Sequence, residues 1–114
     1  MAEDCIFCKI ASGEIKGNVV YQDEHATAFR DLNPQAPTHV LVIPNRHVAD
    51  VTELDDAGLT LQLLQACRTV ARQEGLDGGW RLVTNVGPDS GQTVFHLHWH
   101  VLGGRKMGWP PFPA

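Results

Sequence analysis

His96-Leu97-His98-Trp99-His100-Val101 alternates three imidazoles with three apolar side chains, the period of a β-strand with one polar and one buried face. Side chains two residues apart on a strand are separated by about 6.5 to 7 Å, so neighbouring rings on that face can share one small anionic group. Leu97, Trp99 and Val101 then bury the opposite face. The competing reading is a half-buried strand whose solvent side happens to carry histidine. With six histidines in 114 residues, three in strict alternation argue for function.

Working outward, residues 86–92 read as a polar, glycine-containing loop, and Gly91-Gln92-Thr93 runs directly into the histidines. Backbone N–H groups of such a loop can cradle phosphate oxygens. Residues 80–85 alternate as a strand after the Asp77-Gly78-Gly79 turn. The longest helical signal spans 55–74, with Thr60, Leu63, Leu64, Cys67, Val70 and Ala71 on one face; Asp55 or Asp56 can cap it and Gly75 can close it. Residues 39–43 form an apolar strand stopped by Pro44, after a loop at 33–37 that carries two prolines. Residues 18–22 and 25–31 pair as a hairpin around Asp23-Glu24, and residues 4–12 form a short helix ended by Gly13. Several strands on short connections, with one long and one short helix, predict an α+β fold on a mainly antiparallel five-stranded sheet.

The length fits one domain over residues 1–114, with a proline-stiffened tail from about residue 105 whose Trp109 and Phe112 suit docking on a second copy of the chain. A net charge of −4, with no long basic run, argues against a nucleic-acid partner held by phosphate neutralisation. The N-terminal residues lack the pattern of a signal peptide and no apolar stretch is long enough to cross a bilayer, so a cytoplasmic protein without a membrane partner is expected. Cys5-Ile6-Phe7-Cys8 suggests metal binding or redox chemistry, whereas Cys67 is expected as a buried, inert thiol.

Two chemistries fit the polar face. The histidines could bind a divalent metal that activates water. Alternatively, the central imidazole attacks phosphorus, its neighbours stabilise the charge, and the phosphorylated histidine is hydrolysed afterwards. Spacing leaves both open, although three histidines on a straight strand fan apart and would need a bend to meet one metal.

Cys5-Ile6-Phe7-Cys8-Lys9-Ile10, Asp31, Pro37-Thr38-His39, Leu41-Val42-Ile43-Pro44 and the run from Gly91 to Arg105 together resemble the histidine-triad (HIT) superfamily. Over nearly the whole chain they are similar to its nucleotide-binding branch, which hydrolyses purine nucleoside phosphoramidates. The resemblance implies a HIT-like fold and a homodimer whose tail, Trp109-Pro110-Pro111, shapes the partner's site. It implies that His98 is the nucleophile of a nucleotidyl-histidine intermediate formed from an AMP or GMP moiety. His100, Asn85, Gly91, Gln92 and Thr93 would surround the phosphate, with His39 and His96 supporting from behind. Thr93 stands where serine is common, and its hydroxyl can relay a proton to the leaving amine. Asp31 would hold the ribose, and Ile6, Phe7, Ile10, Phe29 and Leu32 would wall the purine, unless they simply pack the core. The chemistry so implied needs no cofactor. Cys5, Cys8, His47 and His96 match the ligands of a structural zinc in zinc-containing relatives. Hydrolysis of dinucleoside polyphosphates and a nucleotide-binding adaptor role are the alternatives that the resemblance leaves open.

Overall fold

Alternation of buried and half-buried positions organises this chain around a single sheet. The computed structural model describes residues 4–111, with elements α1 (Ile6–Ser12), β1 (Val19–Gln22), β2 (Ala26–Arg30), β3 (Thr38–Pro44), α2 (Ala57–Gln73), β4 (Trp80–Thr84) and β5 (Trp99–Gly103). Short 3-10 turns occupy Val51–Glu53 and Pro88–Ser90. The five strands run antiparallel in the order β1-β2-β3-β5-β4. This is the α+β architecture expected, and no helix among the described residues is long and apolar enough to cross a membrane.

β3 and β5 lie at the centre, and every residue of β3 is buried. Alternate side chains go to different partners. Ala26 and Ala28 of β2, Val40 and Val42 of β3, and Trp99 and Val101 of β5 pack with Leu59, Leu63, Ala66, Cys67, Val70 and Ala71 of α2. Phe29, Leu41 and Ile43 point the other way and pack with Phe7 and Ile10 of α1. One large and one small apolar cluster thus sandwich the sheet, and the small one adjoins the polar histidine face.

Asp56 caps α2 by accepting from the Leu59 N–H at 3.0 Å, and Gly75 follows its end at φ +70°. The buried stripe is rotated from the expected one. Leu59 and Ala66 face the sheet, while Leu64 is 37% exposed; a 3.6-residue period allows either neighbour at the edge of a stripe, and packing selects. Arg30, on the α2 side of β2, ties the sheet to the end of α2 through two 2.9 Å bonds to Glu74.

The opening hairpin turns at Asp23, whose carboxylate accepts from the N–H groups of His25 and Ala26 at 2.7 and 2.8 Å, so β2 starts at Ala26 and not at residue 25. A larger departure concerns the histidine segment. β5 begins only at Trp99, leaving His96, Leu97 and His98 outside the ladder although the alternation of faces persists. The Leu97 N–H donates instead to the Val48 carbonyl at 2.6 Å. Trp109 to Pro111 stay out of the sheet; the expectation for Phe112 lies outside the described residues.

Candidate active site and metal centre

A cavity of about 410 Å³ opens between α1, the end of β2 and the loop preceding the histidines. His98, His100, Thr93, Gly91 and Asn85 form its polar end, Asp31 stands at its side, and Phe7, Ile10 and Phe29 supply apolar wall. Ile6 and Leu32 also line it, but they are 45% and 99% exposed and sit at its rim. The two readings of these apolar residues therefore divide: Phe7, Ile10 and Phe29 serve both core and cavity, whereas Ile6 and Leu32 serve no core. Leu41, Val94 and the segment Ile15-Lys16-Gly17-Asn18 join the lining as well. Sequence reasoning missed that segment because it is a return loop without periodicity.

Hydrogen bonds set the tautomer of each ring in turn. The Gln35 N–H donates to His39 Nδ1 at 3.0 Å, which places the proton of neutral His39 on Nε2. That Nε2–H donates to His100 Nδ1 at 2.8 Å, with an Asp31 carboxylate oxygen 3.4 Å away. His100 must then carry its own proton on Nε2, a donor available to an anion. The His98 Nδ1–H donates to the His96 carbonyl at 2.7 Å, leaving a lone pair on Nε2. His98 and His100 lie side by side with ring centroids 5.0 Å apart.

Burial pushes His100 down to about 4, helped by the neighbouring His98 and His39. Burial also holds His39 below the usual imidazole range, partly offset by Asp31. Both rings are therefore neutral near pH 7, consistent with the tautomers above.

His96 belongs elsewhere. It is fully buried, its Nε2–H donates to the Pro44 carbonyl at 2.8 Å, and its Nδ1 lies 3.2 Å from Cys5 Sγ and 3.4 Å from Cys8 Sγ. His47 Nδ1 approaches Cys8 Sγ at 3.4 Å, and the four ligating atoms all fall within 4.8 Å of one another. Adjacent S and N ligands of a tetrahedral zinc lie about 3.5 Å apart, so donor set and spacing fit that ion. The Pro44 carbonyl supplies the outer partner that fixes the ligating nitrogen. Burial pushes the Cys8 thiol up to about 11 and His96 down to about 4; a bound metal would deprotonate the thiols.

Two expectations change. The three histidines do not converge on one point, since among the described residues no group of mutually close ligating atoms unites them. A three-histidine metal centre that activates water is thereby lost. Asp31, His39 and His100 do cluster, but 2.8 Å between two ring nitrogens is a hydrogen bond and is short of the roughly 3.3 Å between nitrogens on one zinc. The second change concerns the loop. The N–H groups of Ser90, Gly91 and Gln92 are bonded to Gly87, Pro88 and Gly87 carbonyls within it, which narrows the backbone donors that the loop can turn to an anion. The Gln92 side chain is buried and bonds the Ala49 and Val94 carbonyls and the Gly87 N–H, away from the cavity. Its role is to shape the loop. Asn85 does likewise by donating to the Ser90 carbonyl at 2.7 Å. Cys67 is buried, its thiol pushed up to about 12 by that burial, and it stands apart in the α2 cluster.

Known proteins are similar to this one along most of the chain. An uncharacterised HIT-like protein of Synechococcus elongatus is 50% identical over 97% of this chain and 99% of its own. A 14 kDa zinc-binding protein of Zea mays is 47% identical over 93% of this chain and 86% of its own. The crystal structure of a HIT family hydrolase from Legionella pneumophila superposes with a TM-score of 0.92 at 48% identity, covering 96% of this chain and all of that one. Residues 12–107 match the family model described as the HIT domain, and the chain belongs to that family.

Proposed function

We propose that this protein hydrolyses the P–N bond of purine nucleoside 5′-phosphoramidates through a nucleotidyl-His98 intermediate. One observation carries the reading: the Nδ1–H of His98 is engaged by the His96 carbonyl at 2.7 Å, so a lone pair remains on Nε2 of a ring that lines the cavity. The neutral imidazole attacks phosphorus, a new N–P bond forms, and the P–N bond to the amine breaks opposite it. The amine leaves with a proton drawn from solvent water and relayed through the Thr93 hydroxyl, and the attacking water of the next step returns one proton to solvent. His100 donates its Nε2–H to a phosphate oxygen as charge builds there. Water then attacks phosphorus, releasing the nucleoside monophosphate and restoring His98. The apolar wall of Phe7, Ile10 and Phe29 receives the base, and Asp31, whose Oδ1 already accepts from the Asn33 N–H at 2.8 Å, has further lone pairs for ribose hydroxyls. The name of the Legionella relative, a hydrolase, supports the class of reaction.

Zinc at Cys5, Cys8, His47 and His96 would supply a cross-link and nothing more, because a closed four-donor site keeps no position for water. The name of the maize relative supports that metal. A homodimer would use the β4 edge: Trp80 and Leu82 are 36% and 38% exposed there, and Trp109 is 82% exposed beside it, with Arg81 6.0 Å from its ring.

Incubation with adenosine and guanosine 5′-phosphoramidates followed by acid quench tests the reaction. Mass spectrometry should find the nucleotidyl group on the peptide containing His98. Absence of both the adduct and released monophosphate would refute the reading.

A further inference from the structure

The two sites share two structural elements, α1 and the segment 96–98. α1 has only seven residues, too short to be stable without packing; its N-cap Cys5 and its Cys8 face the metal donors, and Phe7 and Ile10 supply cavity wall. Phe7 lies between the two cysteines in sequence, and its ring meets His98 edge-on at 5.1 Å and His96 at 6.0 Å between centroids. The segment 96–98 precedes the β5 ladder and is held instead by burial, by the Leu97 N–H to the Val48 carbonyl and by the Thr84 hydroxyl to the His98 carbonyl. This segment offers its His96 ring to the cysteines and its His96 carbonyl to His98 Nδ1, 2.7 Å away. Any ligand that orders α1 and residues 96–98 at one site therefore orders them for the other.

We infer that metal at Cys5, Cys8, His47 and His96 and nucleotide in the cavity bind with positive linkage, each tightening the other, with Phe7 and the His96 backbone as the bridge. The inference rests on the proposed function only as far as nucleotide binding and needs no turnover. Linkage is reciprocal, so one factor must describe both directions. Ordering of a shared, marginal element is a sufficient cause.

The test measures zinc affinity by chelator competition with and without saturating AMP, and AMP affinity by calorimetry on the zinc-loaded and zinc-stripped protein. Both should shift by the same factor, at least about fivefold. A readout that starts from the folded, loaded protein covers the case in which the stripped chain loses its fold: AMP should slow chelator-driven zinc loss at least about fivefold. Phe7→Leu retains all four metal donors and should still take up zinc, with the factor reduced toward one. Equal zinc affinities or loss rates with and without AMP in the wild type overturn the linkage, as does failure to bind zinc. If AMP binds in neither state, the linkage falls together with the nucleotide reading. If the linkage holds but phosphoramidates are not cleaved, only the reaction is wrong.

Discussion

His96 and His98 stand two residues apart on the same side of the sheet and serve opposite ends. The His98 ring lines an open cavity, with one nitrogen pinned by a carbonyl and the other carrying a lone pair. The His96 ring is sealed from solvent, pinned by the Pro44 carbonyl, and turns its lone pair toward two thiols. In each ring a backbone carbonyl selects the tautomer; what differs is the nitrogen it selects. Pinning Nδ1 leaves the outer nitrogen's lone pair toward the cavity, and pinning Nε2 leaves the inner one's toward the thiols. The motif supplies imidazoles, and the local backbone assigns their chemistry.

The largest effect should come from breaking the cavity side. His98→Ala removes the attacking atom and should lower phosphoramidate turnover at least about a thousandfold, while zinc content by elemental analysis stays near that of the wild type. Comparable turnover would move the nucleophile elsewhere. The converse change is Cys8→Ser, which takes a ligand from the sealed side. It should remove bound zinc and lower Tm by at least about 5 °C, measured by elemental analysis and thermal denaturation; equal zinc in both proteins excludes the proposed ligand set.

The contrast was only partly legible in the sequence. Alternation correctly assigns Leu97, Trp99 and Val101 to the α2 side and the histidines to the other, because side-chain period survives even where the ladder does not. Alternation cannot report convergence, which depends on how the backbone turns between Gln92 and Trp99. For the same reason the sequence does not show that the N–H groups of Ser90, Gly91 and Gln92 are engaged with the loop's own carbonyls. The α2 stripe differs from the expected one at two positions, Leu59 and Ala66 standing in place of Thr60 and Leu64, since apolar spacing fixes a face only to within its edges. Lys16 and Asn18 leave no sequence signal, as a cavity wall built from a return loop has no period.

A smaller effect should follow from disturbing the relay behind His100. His39→Phe keeps a ring in the buried position but loses the N–H that reaches His100 Nδ1 at 2.8 Å. His100 is then free to carry its proton on the inner nitrogen, facing away from the phosphate. One hydrogen bond of that kind is worth about a factor of ten, so kcat should fall by about that much with little change in KM. An unchanged kcat would show that His100 holds its tautomer without His39.

The smallest effect is on stability against pH. An unfolded histidine protonates near 6.5, whereas burial keeps His100 neutral down to about 4. Between those values the unfolded chain binds more protons than the folded one, so stability rises with pH and is lost as pH falls from 6.5 toward 4. His39, also shifted down, acts in the same direction. Replacing His100 by Gln removes one such proton, and the slope of unfolding free energy against pH should flatten by up to about 1.4 kcal/mol per pH unit in that window. Urea unfolding at constant m across pH 4 to 7 measures the slope for both proteins. The same slope in wild type and His100→Gln would mean that the cavity side carries no such penalty, and that the acid sensitivity of this fold resides in groups other than the His39–His100 pair.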